Sequence, residues 1–172
     1  MSDNQVPQED CGGAPQPGEQ HALLKPFEGK FRAVVKIWMG PGDPMVSAGT
    51  MINSFQLDGL YLHQDYVGDP NDGPFPEFKG KGYWGFNTVD GRYEGFWIDN
   101  ASTMMQTEQG SVDESGRQWT MVSEMTNPMT GLTMQKRSVI RLIDDDHHSM
   151  ETYFTMEGQE GKGMEIQYER AN

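Results

Sequence analysis

From Phe31 to Arg170 the chain reads as one β-strand after another, broken by turn signals about every dozen residues, with almost no room for a helix. A meander of this length has two exposed edges, and closing it into a barrel removes both. The expected fold is therefore all-β: an up-and-down antiparallel β-barrel of about ten strands, whose interior is wide enough to hold a small ligand. Lys30–Met39, Val46–Gln56, Leu60–Val67, Phe78–Thr88, Arg92–Ile98, Thr103–Val112, Gln118–Met125, Leu132–Ile143, Ser149–Met156 and Gly163–Arg170 are read as strands. Asp58-Gly59 and Asp90-Gly91 mark tight hairpins. Gly68–Pro76 reads as a longer rim loop.

Only Glu19–Phe27 reads as helix: Leu23, Leu24 and Phe27 form an apolar stripe suited to plugging a barrel end, and Pro26 limits its length. Residues 1–18 are polar and are expected to be a disordered tail, with residues 19–172 a single barrel domain. Lys and Arg number 13 against 26 Asp and Glu, a formal net charge of −13, which disfavours nucleic-acid backbones and anionic membranes as partners. No apolar run is long enough for a membrane helix. Cys11 is the one cysteine, so no intrachain disulfide is expected, and Met1–Asp10 lacks the basic and apolar regions of a secretory signal. A cytoplasmic location is the expectation.

Gly29-Lys30-Phe31, the block Gly82–Tyr93, Trp97-Ile98-Asp99, Asn127–Gly131 and Tyr168-Glu169-Arg170, in that order and spacing, resemble the bacterial DUF1579 family over about residues 20–170. The resemblance implies a calycin-type barrel, similar in shape to lipocalins, fatty-acid-binding proteins and nitrobindins, and no established activity. It also implies that Phe31, near the start of the first strand, packs under Arg170 from the last, a cation–π contact.

No catalytic motif stands out. Gly-x-Ser-x-Gly is absent, and Cys11 has no element to position it. His147-His148 beside Asp144–Asp146 sits at a hairpin tip, Asp69–Gly73 lacks the calcium-loop spacing, and a haem needs an inward strand histidine, for which His63 is the sole strand candidate; neither metal nor cofactor is expected. A paired-carboxylate enzyme could draw on Asp99 and Glu124. The preferred reading is a small, partly apolar guest in the lumen, with an interaction scaffold as another alternative. Lumen candidates are Trp84, Asn87, Tyr93, Trp97, Asp99, Met105, Met121, Met125, Arg137 and Arg141. The last two stand on one face of Leu132–Ile143: turned inward they would meet a guest's carboxylate, turned outward they would pair with surface acids. Alternation alone does not fix which face is inside.

Overall fold

The computed structural model describes residues 13–70, 77–127 and 130–171; the tail expected over residues 1–18 falls largely outside them, as do Cys11 and most of the rim loop. The described chain forms α1 (Glu19–Ala22), a 3-10 turn (Lys25–Phe27) and ten strands: β1 (Gly29–Ile37), β2 (Met45–Gln56), β3 (Tyr61–Gly68), β4 (Lys79–Asn87), β5 (Arg92–Asp99), β6 (Gln106–Val112), β7 (Gln118–Thr126), β8 (Thr133–Leu142), β9 (His147–Met156) and β10 (Gln159–Arg170). Each strand pairs with the next, and β1 pairs with β10, so the sheet is a closed antiparallel barrel. The expected fold is the observed one.

Differences lie at element ends. The helix is split because Pro26 has no N–H to continue it, and the chain tightens into the 3-10 turn at Lys25–Phe27. At Asp58-Gly59 the connection is a 3-10 turn with φ of 50° at Leu57, 58° at Asp58 and 90° at Gly59. β6 starts at Gln106 rather than Thr103, and β9 starts at His147, so both histidines of that pair belong to a strand.

The seam between β1 and β10 runs in unbroken register from Phe31↔Arg170 to Ile37↔Met164. The Arg170 guanidinium lies over the Phe31 ring, 4.6 Å from its centroid. It also donates to the backbone carbonyls of Pro26 (2.8 Å), Glu28 (2.9 Å) and Asp145 (3.0 and 3.1 Å). One side chain thus ties the plug, the start of β1, the β8–β9 turn and the end of β10. Gly29, at φ 128°, is required here, because a Cβ would sit 2.5 Å from Arg170 Nη1. Outside the same seam, Lys36, Glu165, Lys162, Glu151 and Arg141 form an ion chain across β1, β10, β9 and β8. Lys162, then Arg141, hold the Glu151 carboxyl down at about 2.

The interior has two packed clusters. Leu24 and Phe27 of the plug close one end against Leu62, Trp84, Tyr93, Trp119, Met121 and Ile140. Phe31, Ala33, Val35, Met51, Tyr66, Ile166 and Tyr168 line the β1–β3 and β10 wall. The Tyr93 hydroxyl donates to Gln20 O at 2.9 Å and fastens the plug to β5.

Arg170→Ala removes several charge-assisted bonds at once and is expected to lower unfolding free energy by about 2–4 kcal/mol in urea denaturation. Arg170→Lys should recover less than half of that, since one ammonium cannot span three carbonyls.

Candidate functional site

Strand alternation sorts every side chain to lumen or exterior. On β8 the lumenal set is Met134, Lys136, Ser138, Ile140 and Leu142, which stand opposite the buried Trp119 and Met121 of β7 and Met150 and Thr152 of β9. Arg137 and Arg141 are therefore on the outside, correcting the lumenal alternative. Arg137 makes a two-pronged contact to Glu160 (2.9 and 2.7 Å) and lies 4.3 Å over the Tyr153 ring. Arg141 donates to Gln118 Oε1 at 2.9 Å and to Glu151. Both are satisfied by surface partners.

The basic residue facing inward on that strand is Lys136. Its Nζ lies 3.2 Å from Glu108 Oε2 of β6, with side chains only 13% and 22% exposed. Ser138 Oγ donates to the same carboxylate oxygen at 3.3 Å. Directly opposite Ser138 on β9 stands Thr152. Both are fully buried, and Thr152 Oγ1 has no hydrogen-bond partner among the described residues. Ser123 faces Lys136 across the β7–β8 pair, and Glu108 stands opposite Gly95 of β5. A compact polar cluster thus sits in the half of the lumen away from the plug.

The other lumen candidates divide by depth. Trp84, Tyr93 and Met121 do point inward, but at 6%, 1% and 0% exposure they are solid packing against the plug. Trp97, Asp99 and Met125 point inward in the open half and are partly exposed. Trp97 lies flat against β4, where a Cβ on Gly80 or Gly82 would come within 2.1 and 2.9 Å of its ring, and its Nε1 donates to Asp99 Oδ2 at 3.1 Å. The space beside Gly95 is already filled: a Cβ there would crowd the Tyr83 carbonyl oxygen at 3.2 Å and touch Trp84 Cδ1 at 3.5 Å. Two candidates leave the lumen. Met105 precedes β6 and is 70% exposed. Asn87 caps the β4–β5 turn, its Oδ1 accepting from Val89 N and Asp90 N, and its Nδ2 donating to Glu94.

The carboxylates proposed as a catalytic pair are on opposite faces: Asp99 pairs with lumenal Gly80, whereas Glu124 pairs with outward Gln135. His63 is also outward, its ring 4.9 Å from that of Tyr83. The inward strand histidine is His148, which the hairpin-tip reading had left in solvent. It stacks on Tyr168 (4.3 Å between centroids) and takes the edges or faces of Phe27 and Phe31 at 5.0 and 4.6 Å.

A concavity of about 1240 Å³ opens on the outer wall. Its side chains include Tyr61, Tyr83, Phe96, Thr107, Val122 and Gln135, which alternate with buried residues and so face away from the lumen; Gly95, Glu108, Ser123 and Lys136 also line it.

Burial, then the nearby Arg170 charge, push the His148 pKa down from 6.5 to about 3. The unfolded chain therefore binds a proton that the folded one refuses. Stability from this site is complete above 6.5 and falls as pH drops toward 3. Between pH 6 and 5, above the window that opens at the ordinary Glu151 pKa of 4.5, the native protein should lose about 1.4 kcal/mol per pH unit more than His148→Phe, read from urea midpoints.

In comparisons with known proteins, the family described as "Protein of unknown function (DUF1579)" matches residues 16–170. No curated protein matches the chain. Among solved structures, Rv2717c from M. tuberculosis is similar at 15% identity and a TM-score of 0.66, covering 90% of this chain and 99% of its own, a likeness of fold. A structure described as EF1p2_mFAP2b bound to DFHBI aligns at 10% identity and a TM-score of 0.47, covering 88% and 99%. Among the described residues no helix is long and apolar enough to cross a membrane.

Proposed function

The chain belongs to the DUF1579 family, whose function is unknown, and we propose that it binds a small, partly apolar molecule in the open half of its lumen. The observation that carries this reading is the inward Lys136–Glu108 pair with Ser138, set beside the unpartnered Thr152 hydroxyl. Taking charges out of water is costly, and a fold that only needed packing could place apolar side chains there. Inward side chains that keep some exposure, Trp97, Glu108, Ser123 and Lys136 among them, are in reach of water, in contrast to the sealed plug end. A guest with one polar group would meet donors and acceptors already in place, with Trp97, Met125 and Phe154 to cover its apolar part.

The enzyme alternative loses its carboxylate pair, because Asp99 and Glu124 do not share a face. The outer concavity favours a second reading, a binding face on the wall of the barrel. Its floor is the stacked pair Tyr83 and Phe96, 5.6 Å between centroids.

One experiment separates the two. Native mass spectrometry establishes whether something co-purifies, and the neutral dye N-phenyl-1-naphthylamine is then titrated. Met125→Trp, which fills the open lumen at a position that does not line the outer concavity, should weaken the dye by about tenfold or more, while Phe96→Ala on the outer wall should leave it within about twofold. The reverse pattern moves the site to the outer groove, and an unchanged affinity in both variants removes the lumenal reading.

A further inference from the structure

Resting on the lumenal reading, we infer that the guest is a cation, an amine-bearing amphipath rather than an acid. The charged side chains facing the open half, among the described residues, are Lys136, Glu108 and Asp99. Lys136 offsets one carboxylate, so the cavity is one negative charge out of balance before anything enters. A guest ammonium brings that sum to zero; a guest carboxylate raises the imbalance. The two arginines that could have received an acid are outside and occupied by Glu160 and Glu151. Arg170, the remaining inward cation, is spent on backbone carbonyls at the plug end.

The contact geometry agrees. Glu108 uses Oε2 for both Lys136 and Ser138, and its Oε1 accepts no hydrogen bond among the described residues. That oxygen is an acceptor whose neighbour is held by the Ser138 hydrogen bond and the Lys136 ion pair. Fully buried Thr152, directly across the β8–β9 pair from Ser138, adds an unpaired hydroxyl, the second feature that calls for a polar guest atom. Asp99 is committed through Oδ2 to Trp97 Nε1 and through Oδ1 to Ala101 N, so it acts through its charge rather than by contact. It also fixes the Trp97 indole, an aromatic surface that attracts organic cations. Outside the lumen, the net charge of −13 gives the approach the same preference, repelling anions and drawing cations toward the mouth.

The test is a chain-matched series of octylamine, 1-octanol and octanoate, each displacing N-phenyl-1-naphthylamine at low ionic strength. Octylamine should bind about tenfold more tightly than 1-octanol and octanoate more weakly than either. Glu108→Gln should cut the amine-over-alcohol ratio to about twofold while leaving 1-octanol nearly unchanged. Because that variant strands Lys136 in the lumen, the charge-free pair Glu108→Gln with Lys136→Met is measured alongside; it too should lose the amine preference. Added salt should narrow the spread. Octanoate binding as tightly as octylamine, or an amine preference surviving in both variants, overturns the inference and leaves the lumenal reading standing. Dye that binds but is displaced by none of the three also overturns it. Failure of the dye to bind at all overturns the lumenal reading itself.

Discussion

Closure of β1 on β10 is the constraint on which the rest of this structure depends. Hydrogen bonding across the seam is the same as across any antiparallel pair, but the two strands lie at opposite ends of the chain, so bringing them together carries the largest loop-closure entropy in the sheet. Arg170 is placed where that cost falls. It covers Phe31 and binds carbonyls of Pro26, Glu28 and Asp145, so the last strand is fixed to the plug as well as to β1. The ion chain from Lys36 to Arg141 adds a second fastening on the outer surface. Exposed pairs of this kind contribute little one by one, but Glu151 is shared by two cations and is mostly buried, which is where such contacts count.

The same closure divides the interior. With the plug drawn down by Arg170 and Tyr93, the near half is filled by Trp84, Trp119, Tyr93 and Phe27 in mutual edge and tilted contacts between 5.2 and 6.1 Å. His148 completes this layer as a neutral ring, its charge suppressed by burial. The far half holds the partly exposed inward side chains Glu108, Ser123 and Lys136, with the fully buried Thr152 across from Ser138. A single structural requirement, sealing one end, thus determines which half of the lumen is packed solid.

The fold was legible because hairpin signals and β-branched runs are local, and each turn constrains only its two neighbours. The Phe31–Arg170 contact was legible from the family resemblance. The lumenal face was not decided, yet β8 held enough to decide it. Within β8 the face with Lys136 carries Met134, Ile140 and Leu142; the face with the arginines carries only Val139 as an apolar residue. Following hydrophobic count rather than charge regularity puts Lys136 inside. His148 was missed for a different reason: β9 begins two residues earlier than the turn residues suggest, and one residue of extra strand converts a hairpin tip into a core position. The pairing of Glu108 with Lys136 spans an intervening strand and depends on the closed geometry, so no spacing rule in the chain encodes it.

An inward lysine is also stronger evidence of a site than the two outward arginines are. Arg137 and Arg141 repay their ordering in ion pairs that stay in contact with water, and such pairs are worth roughly 0–1 kcal/mol each and imply nothing about ligands. Lys136 and Glu108 are mostly removed from water, where breaking the pair by losing one partner costs about 3–5 kcal/mol and replacing both by apolar groups is often neutral or favourable. Stability alone therefore does not account for them. Their near neighbours sharpen the point: Met121, Met134 and Ile140 show that this sheet readily supplies apolar side chains at adjacent lumenal positions. A polar site kept among such residues, with a buried hydroxyl left open beside it, has the composition expected where a guest, not the protein, completes the hydrogen bonding.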